Sequence, residues 1–169
     1  MRGQLAVAVG LAALLAACST GEPSSSAPSA SATLPTLSLV ALTDVEVVPQ
    51  TEAAILAAFD AESAAALLTS VPASVDFGQV GVICVHLGER TTSGWAVDLQ
   101  SASLVGGELQ IRARETRPAT GAGSAGQFYP AGCGTVTRAA LPAGELQVRA
   151  DDTVSEEFIV DGVITVPSS

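Results

Sequence analysis

The feature that most constrains this chain is a strict two-residue alternation on either side of Gly106-Gly107. Before the glycines, Trp95, Val97 and Leu99 alternate with Ala96, Asp98 and Gln100; after them, Leu109, Ile111 and Ala113 alternate with Glu108, Gln110, Arg112 and Arg114. A period of two puts successive side chains on opposite faces of a strand, so each run buries one face and wets the other. Two such runs joined by a pair of glycines, which take positive φ at no steric cost, predict an antiparallel hairpin.

The rest of the chain reads the same way. Val80-Gly81-Val82-Ile83-Cys84-Val85 is a nearly continuous apolar run, expected of a strand covered on both faces. Ser38–Leu42 and Val45–Val48 are β-rich pieces, Thr135–Arg138 and Leu146–Arg149 read as short strands around a Pro142-Ala143-Gly144 turn, and Asp161-Gly162 reads as a second hairpin turn between Phe158–Val160 and Val163–Val166. Between them, Ala53–Phe59 is expected as a strand and Ala61–Thr69 as the one short helix, with Asp60 as its N-cap. Glu89–Ser93 reads as a polar turn and Pro118–Gly126, with three glycines, as a long mobile loop. Residues 36–169 are therefore expected to form a single mainly β domain, an antiparallel β-sandwich or half-barrel.

The N-terminus points outside the cytoplasm. One arginine precedes an uninterrupted apolar run from Leu5 to Ala17, which is the layout of a secretory signal over residues 1–17. The run is shorter than the roughly 20 residues a helix needs to cross a bilayer. It ends Leu15-Ala16-Ala17-Cys18-Ser19, which resembles the lipobox of bacterial lipoproteins; the resemblance implies diacylglycerol on Cys18 and cleavage before it. An ordinary signal with a chance cysteine is the alternative. Apart from Cys18 and Leu34, residues 18–35 are Ser, Ala, Pro, Thr and Gly with Glu22 as the one charge, a composition expected to remain a disordered tether.

Without Arg2 the chain has six arginines, no lysine and seventeen carboxylates. A net charge near −11 makes nucleic acid or an anionic lipid surface an unfavourable partner. In an oxidising compartment Cys84 and Cys133 suit a disulfide, closing a loop of about 50 residues; two small buried thiols are the other reading.

An enzyme needs a nucleophile, a base and a charge stabiliser that converge, and one histidine, one tyrosine and no lysine supply little of this. Cys84 and His86 lie two apart on one strand face, but no further ligand or orienting carboxylate stands near them in sequence, so neither a metal nor a cofactor is expected. Asp151-Asp152 and Glu156-Glu157 lack the oxygen-rich, glycine-punctuated spacing of a calcium loop and read as a solvated acidic connection. Two segments hold three of the six aromatic residues and are the candidate recognition surface: Thr91-Thr92-Ser93-Gly94-Trp95 and Gln127-Phe128-Tyr129-Pro130. Trp95 and Phe128 also fit as core anchors at strand ends, with Tyr129 the exposed member.

Val75-Asp76-Phe77, followed by Val82 to Val97 with Gly88-Glu89-Arg90-Thr91-Thr92-Ser93-Gly94-Trp95 at its centre, resembles the PrcB C-terminal domain, the family of protease complex subunit PrcB. Glu115-Thr116-Arg117-Pro118 and Tyr129-Pro130 fall where that family carries a strand-ending proline and an aromatic–proline step. The resemblance spans about residues 76–149. It departs where the usual Gly-Gly-Tyr is Ser93-Gly94-Trp95, and in Cys84 and Cys133. It implies a lipoprotein or secreted module, without catalytic residues, that associates with or stabilises an envelope protease. A glycan-binding or small-ligand sandwich, with Trp95 and Tyr129 stacking on sugar rings, is the competing expectation.

Overall fold

The computed structural model describes residues 36–168. The expected signal, the expected lipidation site Cys18 and the expected tether lie outside the described residues. The strands are Thr36–Leu37 (β1), Leu39–Leu42 (β2), Ala53–Ala58 (β3), Val80–Leu87 (β4), Arg90–Thr92 (β5), Ala96–Val105 (β6), Glu108–Thr116 (β7), Ala125–Phe128 (β8), Ala131–Thr137 (β9), Gly144–Asp152 (β10) and Phe158–Val166 (β11). They form a five-stranded sheet in the order β1-β6-β7-β10-β11, a four-stranded sheet in the order β2-β9-β4-β3, and a separate ribbon of β5 and β8. The fold is mainly β, as the alternation predicts. The pairings are antiparallel except that of β7 with β10, which is parallel.

The two larger sheets face each other over one core. Leu109, Ile111 and Ala113 of β7 and Leu146, Val148 and Ala150 of β10 meet Ile83, Val85 and Leu87 of β4 there. The inward positions of β7 are the apolar set of the alternation, and Leu109, Ile111 and Ala113 are fully buried. The other face of β4 is covered too: Val82 and Cys84 pack with Cys133 of β9, Leu67 and Leu68 in a second cluster. Burial on both faces is why β4 reads as a continuous apolar run. The outer strands β3 and β11 lie against one another without pairing, so the sheets do not close into a barrel.

The helix, Ala61–Ala65 (α1), is shorter than the expected Ala61–Thr69. Asp60 caps it as expected, accepting the N–H of Ser63 at 2.7 Å. Beyond Ala65 the backbone finds other partners: the Leu67 carbonyl accepts from Val48 N at 2.8 Å, and Thr69 N donates to the Glu46 carbonyl at 2.8 Å. A bridge between Val47 and Leu68 thus ends the helix.

The expected hairpin turn at Asp161-Gly162 is not a turn. Asp161 and Gly162 lie inside β11, opposite Arg149 and Val148 in one ladder. Gly162 lies beside Ile55 of β3, where a Cβ would make only ordinary van der Waals contact, and its backbone is extended like that of the rest of the strand. The chain reverses earlier, at residues 153–157, where Glu156 takes positive φ. Likewise β9 and β10 do not form a hairpin around Pro142. They belong to opposite sheets, and a 3-10 turn at Arg138–Ala140 carries the chain between them.

Candidate functional site

The structure brings the two aromatic-bearing segments together. The expected Glu89–Ser93 turn contains β5, and the end of the expected loop contributes Ala125 and Gly126 to β8; Arg90 stands opposite Phe128 and Thr92 opposite Ala125, with a bulge between. Side chains lace the ribbon. Ser93 N donates to the Ser124 carbonyl at 3.0 Å and Ser124 N donates back to Ser93 Oγ at 2.9 Å. Gln127 Nε2 donates to Glu89 Oε1 at 3.2 Å, and Leu87 N donates to the Pro130 carbonyl at 2.9 Å, which ties the ribbon to the end of β4. Gly94, at φ +92°, makes the turn into β6 against Pro118.

Trp95 anchors this end. It is half-buried and packs on the main core, and its indole N–H donates to Thr92 Oγ1 at 3.3 Å. The Arg90 guanidinium lies over the indole ring, 5.0 Å from its centroid. Such stacking places a cation against the negative face of the ring. Tyr129 is half-buried like Phe128 and is not the exposed member; Thr91 and Gln127 are exposed. Neither β5 nor β8 has a second ladder partner among the described residues, so both outer edges of the ribbon keep free backbone donors and acceptors.

Beside the root of the ribbon is a cavity of about 250 Å³ bordered by Arg90, Trp95, Glu115, Arg117 and Phe158, with Leu87 and Ile159 at its wall. Phe158 is 52% exposed and is stacked by Arg149 at 5.3 Å. Arg117 is shared by Glu115 at 3.0 Å and Glu157 at 3.1 Å. Sequence reasoning missed Arg90, Arg117 and Phe158 as neighbours of Trp95. No local pattern carries that information, because three loops and two strand pairings bring them together.

The other singled-out residues have structural roles. Cys84 and Cys133 are disulfide-bonded, directly opposite one another on β4 and β9. His86 is 1% exposed with no partner for its Nε2, and burial pushes its pKa below the usual histidine value. The acidic segment is not uniformly solvated. Asp152 is buried and its carboxylate accepts from Glu115 N at 2.9 Å, Ser155 N and Ser155 Oγ at 2.7 Å, and Val154 N at 3.3 Å. These donors, Glu115 N foremost, hold it far below the ordinary carboxylate range. Asp151 pairs with Arg149 at 2.8 Å.

No family model, no curated protein and no solved structure matches this chain.

Proposed function

We propose that this is a lipid-anchored protein of the bacterial envelope whose β domain, without catalysing a reaction, docks a protein partner through the β5–β8 ribbon. The observation that carries the reading is the ribbon itself. Two segments more than thirty residues apart pair outside both main sheets, and they present exposed Thr91 and Gln127 and two free edges of the kind that accept an added strand. The resemblance to PrcB makes an envelope protease the first partner to test. Burial of the chain's one imidazole supports a non-catalytic role, since a side chain so enclosed meets no substrate. The sugar-stacking alternative is less well supported, because Arg90 occupies one face of the Trp95 ring.

The test is comparative capture from the native envelope with quantitative mass spectrometry. Wild type and the double substitution Thr91→Arg, Gln127→Arg are used as bait, both positions being exposed. The reading expects a protein enriched in near-stoichiometric amount by wild type and lost with the variant. Identical enrichment by both baits, or substrate turnover abolished by His86→Ala, overturns it.

A further inference from the structure

The ribbon ends against a cavity whose charge is unlike that of the molecule. Around a chain with seventeen carboxylates and seven arginines, Arg90 has no carboxylate within ion-pairing distance among the described residues. Its Nη1 donates only to the carbonyl of neighbouring Glu89, at 3.3 Å, and its Nε is enclosed with no acceptor. The nearest candidate counter-ion in sequence, Glu89, has its carboxylate turned to Gln127. Arg117, across the cavity, differs: Glu115 and Glu157 already share its guanidinium. Arg117 therefore neutralises the one acid that borders the cavity, Glu115, and Arg90 is left as the uncompensated cation.

The space beside Arg90 is small, and apolar side chains line one part of it while Arg90, Glu115 and Arg117 line the rest. At about 250 Å³ it falls below the roughly 300–1,000 Å³ of small-molecule sites, which is room for about one amino-acid residue. Trp95, Phe158, Leu87 and Ile159 form its apolar wall. A ligand matching both features has a carboxylate and an apolar side chain a few bonds apart. The last residue of a polypeptide has this arrangement, with both groups on one Cα. An internal Asp or Glu brings the charge but no apolar body to fill the space.

We propose that this cavity captures the C-terminal residue of a partner polypeptide, its carboxylate on the Arg90 guanidinium and its apolar side chain against Trp95 and Phe158. Charge-assisted pairing of arginine with a carboxylate supplies the selectivity, and the two aromatic rings supply the contact area. The inference rests on the reading of this end as a docking surface and names the chemistry of what docks.

Trp95 is the chain's one tryptophan, so its emission reports on this cavity alone. The full-length chain in mild detergent is titrated with acetyl-Gly-Gly-Leu and acetyl-Gly-Gly-Phe as free acids, with the same peptides as C-terminal amides, and with acetyl-Gly-Glu-Gly-amide. The free acids are expected to shift the emission saturably, with the amides and the internal glutamate peptide at least tenfold weaker. Arg90→Gln is expected to abolish the preference of acid over amide, while Arg114→Gln, which removes an equal charge elsewhere, leaves it intact. Equal binding of acid and amide by wild type overturns the proposal, as does preference for the internal glutamate or the lack of any saturable shift. These wild-type outcomes decide the matter even if Arg90→Gln does not fold. If envelope capture is lost with the ribbon double variant but unchanged with Arg90→Gln, docking stands and the cavity chemistry is wrong. If the free acids bind selectively but no partner depends on the ribbon, the reverse holds.

Discussion

Gly132 shows how tightly single residues are specified. A Cβ there would collide with the Val97 carbonyl oxygen, where β9 of one sheet crosses β6 of the other. Gly132→Ala is expected to destabilise the domain by about 1–3 kcal/mol, as overpacking does, lowering the urea midpoint at unchanged slope. Two titratable residues set distinct acid steps. His86 is held neutral by burial, so as pH falls through about 6.5 the unfolded chain takes up a proton that the folded chain resists. Stability is therefore flat above about pH 7 and declines below it, and His86→Leu should remove that decline. Asp152 is held ionised by its donors, so its contribution is complete above about pH 4 and lost only in stronger acid. Asp152→Asn should remove the lower step and leave the upper one. Urea midpoints measured from about pH 1.5 to pH 8 cover both windows, and steps that persist in both variants would contradict both assignments. A buried histidine beside a structural cysteine is legible in the sequence, but the role of Asp152 is not. The Asp152 carboxylate is fixed by the Glu115 N–H, 37 residues away, and an acidic run gives no sign of which member is buried.

At the scale of elements, what could be read locally was read correctly. Alternation fixed β6, β7 and the glycine turn between them, because side-chain period and turn chemistry are both properties of adjacent residues. The continuous apolar run fixed β4. Asp161-Gly162 has the composition of a hairpin turn, but its pairing with Val148 and Arg149 in one ladder carries the strand straight through it. The helix ended early for a related reason: residues 46–48 compete for its last carbonyls and amides. The ribbon is the clearest case of information absent from local sequence, since Arg90 meets Phe128 only after two strands of another sheet have intervened. The disulfide is legible in type but not in register. It joins β4 to β9 across a sequence separation of 49, a loop long enough that closing it restricts the unfolded chain by about 4 kcal/mol. Cys84→Ala with Cys133→Ala is expected to lose stability of that order, because the two methyl-sized side chains stay buried in the same cluster. Chemical denaturation of the double variant beside wild type measures it, and equal midpoints would mean the cross-link is energetically idle.

For the whole molecule, the anchor and the domain are expected to be independent. The described core starts at Leu37. A tether of the composition of residues 18–35 has little apolar surface to bury, so Cys18→Ser is expected to leave the thermal midpoint of the domain unchanged. Its effect should be on location alone. Two acyl chains bind a bilayer stably where one binds marginally, and a domain with six arginines against sixteen carboxylates adds electrostatic repulsion from anionic lipid, not adhesion. Wild type should thus incorporate a clickable fatty acid and stay with pelleted membranes through a high-salt wash. Cys18→Ser should lose the label, and how it fractionates then separates two anchors. If its signal is processed by another route, it appears in the soluble envelope fraction; if it remains with the membrane at full length, the uncleaved Leu5–Ala17 run is holding it. A Cys18→Ser chain that still carries the fatty-acid label would place the lipid elsewhere and remove the basis for a tether that begins at Cys18.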